Sequence, residues 1–535
     1  MPVRFVALVA VLTLGSLSTG SLSTGRLSTA VADVDFFPAI DPAPYPGVGY
    51  DQPRRPQFHF TSKRGWLNDP NGMVYDGERF HLFFQHNPLG TKWGNMTWGH
   101  AVSDDLVRWT QQPHALRPYR YDGRPGTIFS GTCVVDAANT LGLDKQPGEP
   151  PTLVAFYTLA TQPRFFQAMA YSRDRGQTWT YHNDGGPVVG NQGFDPEERD
   201  PKVFWHEPSQ RWVMVLWVAR AREAFVDDAG RERPKVDGRV RIFTSPNLTD
   251  WTHASDLVRD WAYECMDVVF LPVDGDPADT RCVLYDASFD YEVGTFDGTH
   301  FTPTEPTRTL GRGQFYAAQT FSHMPDSAGL PGDRPGRCVQ IGWMRGGLEL
   351  DDAFGVGFNK QMSFPCDLRL RTESDGIRLT AYPVPEIATL ATETISRDAV
   401  ALSSEPALAD IGPLDLADVS LTLEPQGAES IRLDLPGVGI EYVPATGTLR
   451  TVTEPRQDLI VNMPPRDGRI DLRLLVDRVS IEAFVFGGEQ FGAAYIDPRR
   501  GPDTQPRMRA TGGSAIARDV TIRRLRSAWR SLRDE

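Results

Sequence analysis

Over residues 66–371 the hydrophobic positions fall in short runs rich in Val, Phe, Tyr and Trp, broken by Gly, Pro, Asp and Asn, with almost no 3.6-residue periodicity. That pattern predicts β-strands joined by tight turns. One hairpin signal occurs three times, as Ser103-Asp104-Asp105-Leu106-Val107-Arg108-Trp109, Ser172-Arg173-Asp174-Arg175-Gly176-Gln177-Thr178-Trp179 and Ser245-Pro246-Asn247-Leu248-Thr249-Asp250-Trp251, with the Trp residues 70 and 72 positions apart. A polar turn followed by a Trp that tucks back beneath it suits the outer strand of a repeated sheet. Five polar openings into apolar strands share the interval: Asn68-Asp69-Pro70-Asn71-Gly72, Phe129-Ser130-Gly131, Arg199-Asp200-Pro201, Glu264-Cys265-Met266-Asp267 and Phe315-Tyr316-Ala317-Ala318-Gln319. Their spacings of 61, 70, 64 and 52 residues each accommodate a four-stranded sheet. Five such sheets arranged radially make a β-propeller, whose first strands line a central channel. The polar residues of those strands are then expected to converge at one mouth.

After Tyr382-Pro383-Val384-Pro385-Glu386 the pattern becomes plain strand alternation, as in Val419-Ser420-Leu421-Thr422-Leu423, Ile431-Arg432-Leu433-Asp434-Leu435 and Ile470-Asp471-Leu472-Arg473-Leu474. This predicts an antiparallel β-sandwich, joined to the propeller by a linker with a short helix over 386–394. At the other end, Arg4 precedes an apolar run over 5–14 that is too short to span a bilayer. With the small residues Ala30-Val31-Ala32 after it, the segment reads as a signal peptide cleaved near Ala32, which implies secretion without a membrane anchor. The expected division is a signal peptide over 1–32, a lead-in over 33–56, an all-β five-bladed propeller over 57–385, a linker over 386–396 and a sandwich over 397–535.

Composition narrows the function. The 535 residues include 12 Trp, 28 Phe and 15 Tyr, ample for a core, which excludes a disordered or collagen-like chain. Lys and Arg total 55 against 69 Asp and Glu, a net charge of −14 with no basic block, so nucleic acid and anionic membranes are poor partners and a neutral substrate is favoured. Five cysteines in a chain of this size are no disulfide framework and read as buried thiols, with room for one bridge. No Cys-x-x-Cys or His-x-x-x-His spacing occurs, so neither metal nor cofactor is expected.

Taken singly, Asp69-Pro70-Asn71-Gly72 reads equally well as a turn, and Arg199-Asp200 as a local ion pair. Glu264 is harder to dismiss, because it immediately precedes an apolar strand. The propeller changes the weighing by bringing Asp69, Asp200 and Glu264 to one end of a channel. Three acids at one mouth repel one another and push at least one pKa upward, separating a proton donor from an ionised partner. Retaining glycoside cleavage requires such a pair, one carboxylate as nucleophile and one carboxylic acid as proton donor. The third acid is then free to hold substrate hydroxyls, with Arg199 beside it as a fixed donor fork. Trp66 and Trp93 offer flat apolar walls for a sugar ring, and Asn68, Gln85 and Ser130 offer hydrogen bonds.

The segment Trp66-Leu67-Asn68-Asp69-Pro70-Asn71-Gly72 resembles the β-fructofuranosidases of glycoside hydrolase family 32, which include invertases, inulinases, levanases and some fructosyltransferases. The resemblance continues through Phe83-Phe84-Gln85-His86-Asn87-Pro88, Trp93-Gly94-Asn95-Met96-Thr97-Trp98-Gly99-His100, Phe129-Ser130-Gly131, Arg199-Asp200-Pro201, Glu264-Cys265, residues 315–321 and 361–366, and Val476-Asp477-Arg478-Val479-Ser480-Ile481-Glu482-Ala483-Phe484. It implies a five-bladed propeller with a trailing sandwich and a retaining mechanism. Carried over by motif, Asp69 is the nucleophile, Glu264 the acid/base, and Asp200 the group that grips ring hydroxyls, assisted by Arg199. Asn68, Gln85, Trp93 and Ser130 line the subsite of the terminal fructose. Gln314 and Cys366 depart from the family pattern around the last blade. The expected activity is exo-hydrolysis of levan or inulin, and of sucrose. The alternatives are a fructosyltransferase, including one forming a cyclic difructose, an endo-levanase with the same acids, an inverting arabinan or xylan hydrolase, and a non-catalytic sugar-binding propeller. The sandwich is expected to stabilise the propeller.

Overall fold

The computed structural model describes residues 34–529 apart from 39, 41–44, 46, 53, 147, 219, 227–231, 326–336, 347–348, 453–458 and 497–504. The signal-peptide reading lies outside the described residues. Among those described, five four-stranded antiparallel units follow one another along the chain; short extra strands extend some of them, and the fourth and fifth are joined into one sheet by a parallel bridge between Val273 and Leu370. Blade I comprises Gly65–Tyr75, Phe80–Asn87, Thr97–Ser103 and Trp109–Leu116. Blade II comprises Arg124–Asp136, Thr152–Thr161, Phe166–Ser172 and Thr180–Tyr181. Blade III is built from Arg199–His206, Arg211–Trp217, Arg239–Ser245 and Thr252–Val258. Blade IV uses Asp267–Val273, Asp276–Tyr285, Asp290–Phe296 and Phe301–Pro303. Blade V uses Phe315–Thr320, Cys338–Met344, Cys366–Glu373 and Gly376–Pro383.

The recurrent Trp closes the outer hairpin in three blades by one device. The indole N–H of Trp109, Trp179 and Trp251 donates to the carbonyl three residues earlier, on Leu106, Gly176 and Leu248, at 3.0, 3.2 and 2.8 Å. Each of those acceptor residues has a positive φ, between 64° and 77°, which turns its carbonyl toward the indole. Blade IV has Phe301 at the corresponding place, three residues after Gly298 at φ 100°, and so repeats the turn without the indole hydrogen bond.

The core lies between blades rather than at the centre. Phe83, Trp98, Tyr119 and Tyr157 pack between blades I and II; Phe156, Met169, Trp212 and Phe243 between II and III; and Trp217, Ile242, Met266 and Leu284 between III and IV. Deeper in the channel the inner strands of blades III, IV and V are tied by polar contacts. Lys202 Nζ lies 2.7 Å from Asp267 Oδ1, and Asp267 also accepts from the Thr320 backbone N–H at 2.7 Å. Blade V meets blade I through Ser322, which exchanges backbone hydrogen bonds with Met73 and Tyr75.

A short 3₁₀ turn over Pro385–Leu390 leaves the last blade, and the first sandwich strand, Ala391–Leu402, follows at once. The helix expected over 386–394 is therefore shorter, because Thr392, Thr394 and Ile395 are β-branched and favour the strand. The sandwich packs a six-stranded set containing Ala417–Gln426 and Ile470–Asp477 against a five-stranded sheet containing Ser430–Leu435 and Val438–Val443. Their alternating burial places Leu421, Leu433 and Ile440 in its interior. All five cysteines are unpaired and buried.

The sandwich is fastened to the propeller through His59. Asp477 accepts hydrogen bonds from the backbone N–H groups of Gln57, Phe58 and His59 and pairs with His59 Nδ1 at 2.9 Å, while His59 Nε2 faces Glu482 Oε2 at 3.4 Å. Burial works against charge on this imidazole, but its interactions with the Asp477 and Glu482 carboxylates prevail and raise its pKa to about 9. A raised histidine pKa gives stability that is complete below the unfolded value near 6.5 and disappears as pH rises through 9. His59→Gln is therefore expected to be less stable than the wild type at pH 7, and the gap should close by about 2 kcal/mol between pH 7 and pH 10 in denaturant unfolding. A gap that does not change with pH would contradict a charged His59.

Candidate active site

Each polar opening lies on or at the start of an inner strand, and in four blades the strand bulges there. The pairing register shifts between Leu67 and Pro70, Ile128 and Gly131, Arg199 and Lys202, and Tyr316 and Gln319. A bulge re-aims one or two side chains out of the alternation. The residues redirected include Asn68, Asp69, Ser130 and Asp200. Backbone conformation completes the aim: Asp200, Glu264 and Cys265 have φ of 65°, 36° and 44°, unusual for residues with a Cβ. Local hydrogen bonds hold them there. Asp200 N–H donates to Thr158 Oγ1 at 3.0 Å, Cys265 N–H donates to Asp200 Oδ2 at 3.1 Å, and the Glu264 carbonyl accepts from Ala287 N–H at 3.2 Å.

The three acids meet around Cys265. Its thiol lies 3.7 Å from Asp69 Oδ2 and 3.5 Å from Asp200 Oδ2. Asp69 accepts from Ser130 Oγ at 2.6 Å and from Asn68 Nδ2 at 3.1 Å, and Asn68 is itself fixed by the Trp66 indole N–H at 2.9 Å. Burial raises the Asp69 pKa, and the Glu264 charge adds to it, while the Ser130 and Asn68 donors work the other way by favouring the ionised form. Burial likewise pushes Asp200 up to about 7, with Arg199 opposing and Glu264 and Asp69 reinforcing the rise. On the other side, Glu264 Oε2 accepts two hydrogen bonds from the Arg199 guanidinium, at 2.8 and 3.1 Å, and Oε1 accepts one from the Tyr316 hydroxyl at 2.6 Å.

Arg199 was expected beside Asp200, but its hydrogen-bonding fork is given to Glu264, and its nearest approach to Asp200 is 3.8 Å. The guanidinium rests 4.5 Å over the Trp217 ring, which holds the fork in that direction. Burial disfavours its charge, yet the neighbouring carboxylates outweigh burial and raise its pKa. Trp93 stands open, 60% exposed and edge-on to Phe129, whereas Trp66 is only 9% exposed and supports Asn68. Gln85 is buried and joins the site through Asn71, whose amide, in the orientation its neighbours require, accepts from Gln85 and donates to Ser130 Oγ at 3.2 Å. Sequence reasoning missed Tyr316, Thr158, Asn71 and Trp217. Tyr316 was within reach: it sits in the fifth polar opening, where the inner-strand position itself aims a side chain at the mouth.

Carboxylates gathered at one mouth, two of them in separate hydrogen-bonding surroundings, are the arrangement a glycoside hydrolase needs. Residues 59–383 match the model of the glycosyl hydrolases family 32 N-terminal domain. The chain is 34% identical over 521 residues to a levanase of Bacillus subtilis, spanning 90% of this chain and 72% of that one. It is 30% identical to an extracellular exo-inulinase of Aspergillus ficuum, spanning 90% and 96%. The crystal structure of exo-inulinase from Aspergillus awamori superposes with a TM-score of 0.74 at 27% identity, over 90% of this chain and all of that one. The chain belongs to glycosyl hydrolase family 32 and is a hydrolase of the fructan β-fructosidase type.

Stability should register the crowded acids. A carboxyl raised from 3.8 to about 7 contributes most below pH 3.8, and its contribution falls away as pH rises to 7. Asp200→Asn is expected to gain about 2 kcal/mol of stability relative to the wild type between pH 5 and pH 8, measured by denaturant unfolding. A difference independent of pH would contradict the raised pKa.

Proposed function

We propose that the chain is a secreted, retaining, exo-acting β-fructosidase that releases terminal β-D-fructosyl units from levan and inulin, and from sucrose. The observation that supports this best is the unequal dressing of two acids at one mouth. Asp69 is met by the hydroxyl and amide donors of Ser130 and Asn68, while Glu264 is oriented by Arg199 and Tyr316. In the first step, Asp69 attacks the anomeric carbon of the terminal fructose, the bond to the glycosidic oxygen breaks, and Glu264 gives its proton to that oxygen. In the second, Glu264 takes a proton from water, the water attacks the same carbon, and the ester to Asp69 breaks to free fructose. Asp200, protonated or ionised near neutral pH, exchanges hydrogen bonds with ring hydroxyls. Atoms and charge balance through both steps without a metal or cofactor.

Export to the medium suits a polymeric substrate, and the relatives include an extracellular exo-inulinase. The residues around Trp93 and the Asp69 pocket come from blades I and II and would hold the terminal fructose, with Trp66 and Gln85 supporting that subsite from behind. Among the described residues no helix is long and apolar enough to cross a membrane.

Chromatography of products from levan, inulin and sucrose tests the proposal. Free fructose is expected from all three, with glucose as the co-product from sucrose. Oligomers as early products would indicate endo cleavage, and a new disaccharide would indicate transfer. Asp69→Asn is expected to fold normally and lose at least about 10³-fold in kcat; near-wild-type turnover would overturn the nucleophile assignment.

A further inference from the structure

Behind Tyr316 lies a cation that the proposed chemistry does not use. Arg345 follows the second strand of blade V, Cys338–Met344, and its backbone N–H donates to the Gln314 carbonyl at 2.8 Å. Its guanidinium lies 3.9 Å from the centre of the Tyr316 ring, and that ring's hydroxyl donates to Glu264 Oε1 at 2.6 Å. Arg345 is exposed, and among the described residues its side chain has no hydrogen bond or ion pair. In contrast, the other arginine of the site, Arg199, is mostly buried and commits two donors to Glu264. A guanidinium has five N–H donors in a rigid plane. Stacked on Tyr316, Arg345 is held in place by the ring face while its N–H edges have no partner among the described residues.

The direction of those edges matters because of what lies on each side of Glu264. Asp69, Asn68 and Ser130, from blades I and II, surround the place of the bound fructosyl unit. Glu264 must hand its proton to the oxygen of the departing sugar, so that sugar lies over the Glu264 carboxyl and away from Asp69. Tyr316 meets that carboxyl at its Oε1 edge, and Arg345 is stacked on the Tyr316 ring. We infer that Arg345 is a specificity-determining residue that donates hydrogen bonds to hydroxyls of the leaving-group sugar, one residue beyond the bond that is cut. The inference rests on the fructosidase reading of the same site. A sugar with vicinal hydroxyls suits a two-donor edge, and both glucose of sucrose and the penultimate fructose of a fructan present them.

Binding to an inactive background separates this role from catalysis. In Glu264→Gln, titration calorimetry is expected to show binding of fructose, sucrose and 1-kestose. Adding Arg345→Gln should weaken sucrose and 1-kestose by about tenfold, the loss expected for hydrogen bonds from a charged donor, and change fructose by less than twofold. In the otherwise wild-type enzyme, Arg345→Gln should raise KM for sucrose by a similar factor while the pH profile of kcat stays in place. Equal weakening of all three ligands, or no weakening, would overturn the inference. So would a lowered kcat with a displaced pH profile, which would mean that Arg345 acts through Tyr316 on Glu264. If Glu264→Gln binds none of the three sugars, the fructosidase reading itself fails and the inference falls with it.

Discussion

Three carboxyl groups confined around one buried thiol are the constraint to which the rest of this molecule answers. Asp69, Asp200 and Glu264 come from three different blades, yet Cys265 touches two of them and follows the third in sequence. Burial and mutual repulsion both oppose ionisation there. The cluster persists because each acid has its own compensation: donors from Ser130 and Asn68 for Asp69, the Cys265 backbone for Asp200, and the Arg199 fork with Tyr316 for Glu264. Holding the acids at those angles costs backbone strain, about 1 kcal/mol or more for each non-glycine residue in the left-handed region. The propeller's packed inter-blade layers fix the inner strands tightly enough to impose it.

The repeat was legible from sequence because its signals are local. The Ser-to-Trp hairpins mark the outer turns of blades I to III, and their positive-φ acceptors at Leu106, Gly176 and Leu248 follow one geometry. The polar openings mark inner strands, so the sequence alone points Asp69, Asp200 and Glu264 at one mouth. What escaped was longer in range. No glycine or asparagine announces the left-handed backbone at Asp200, Glu264 or Cys265; it is held by hydrogen bonds to Thr158 on a strand of blade II and to Ala287 in the turn between the second and third strands of blade IV. Arg199 is adjacent in sequence to Asp200, and adjacency suggested only the weaker of its two partners; with the guanidinium resting on the Trp217 ring, from the second strand of blade III, the hydrogen-bonding fork goes to Glu264. Tyr316 could be counted as a repeat marker, but its hydroxyl's partner, Glu264, lies in the loop leading into blade IV's inner strand.

The sandwich belongs to the same balance. A buried His59 held between Asp477 and Glu482 joins the segment that enters blade I to the far domain. Gln314, one of the two departures from the family pattern, is also used at this junction: its N–H bonds Ala493 of the sandwich and its carbonyl receives Arg345. The sandwich edge therefore abuts the strand that presents Tyr316 to Glu264, which gives the second domain a route to the mouth through packing alone.

The central claim is that Asp69 forms a covalent bond to fructose during turnover. Rapid acid quenching during sucrose cleavage, followed by peptide mass spectrometry, measures this directly. The account predicts a fructosyl adduct on the peptide containing Asp69, absent in Asp69→Asn, together with fructose first released in the β configuration. No adduct at any quench time, with fructose first released in the α configuration, would contradict it.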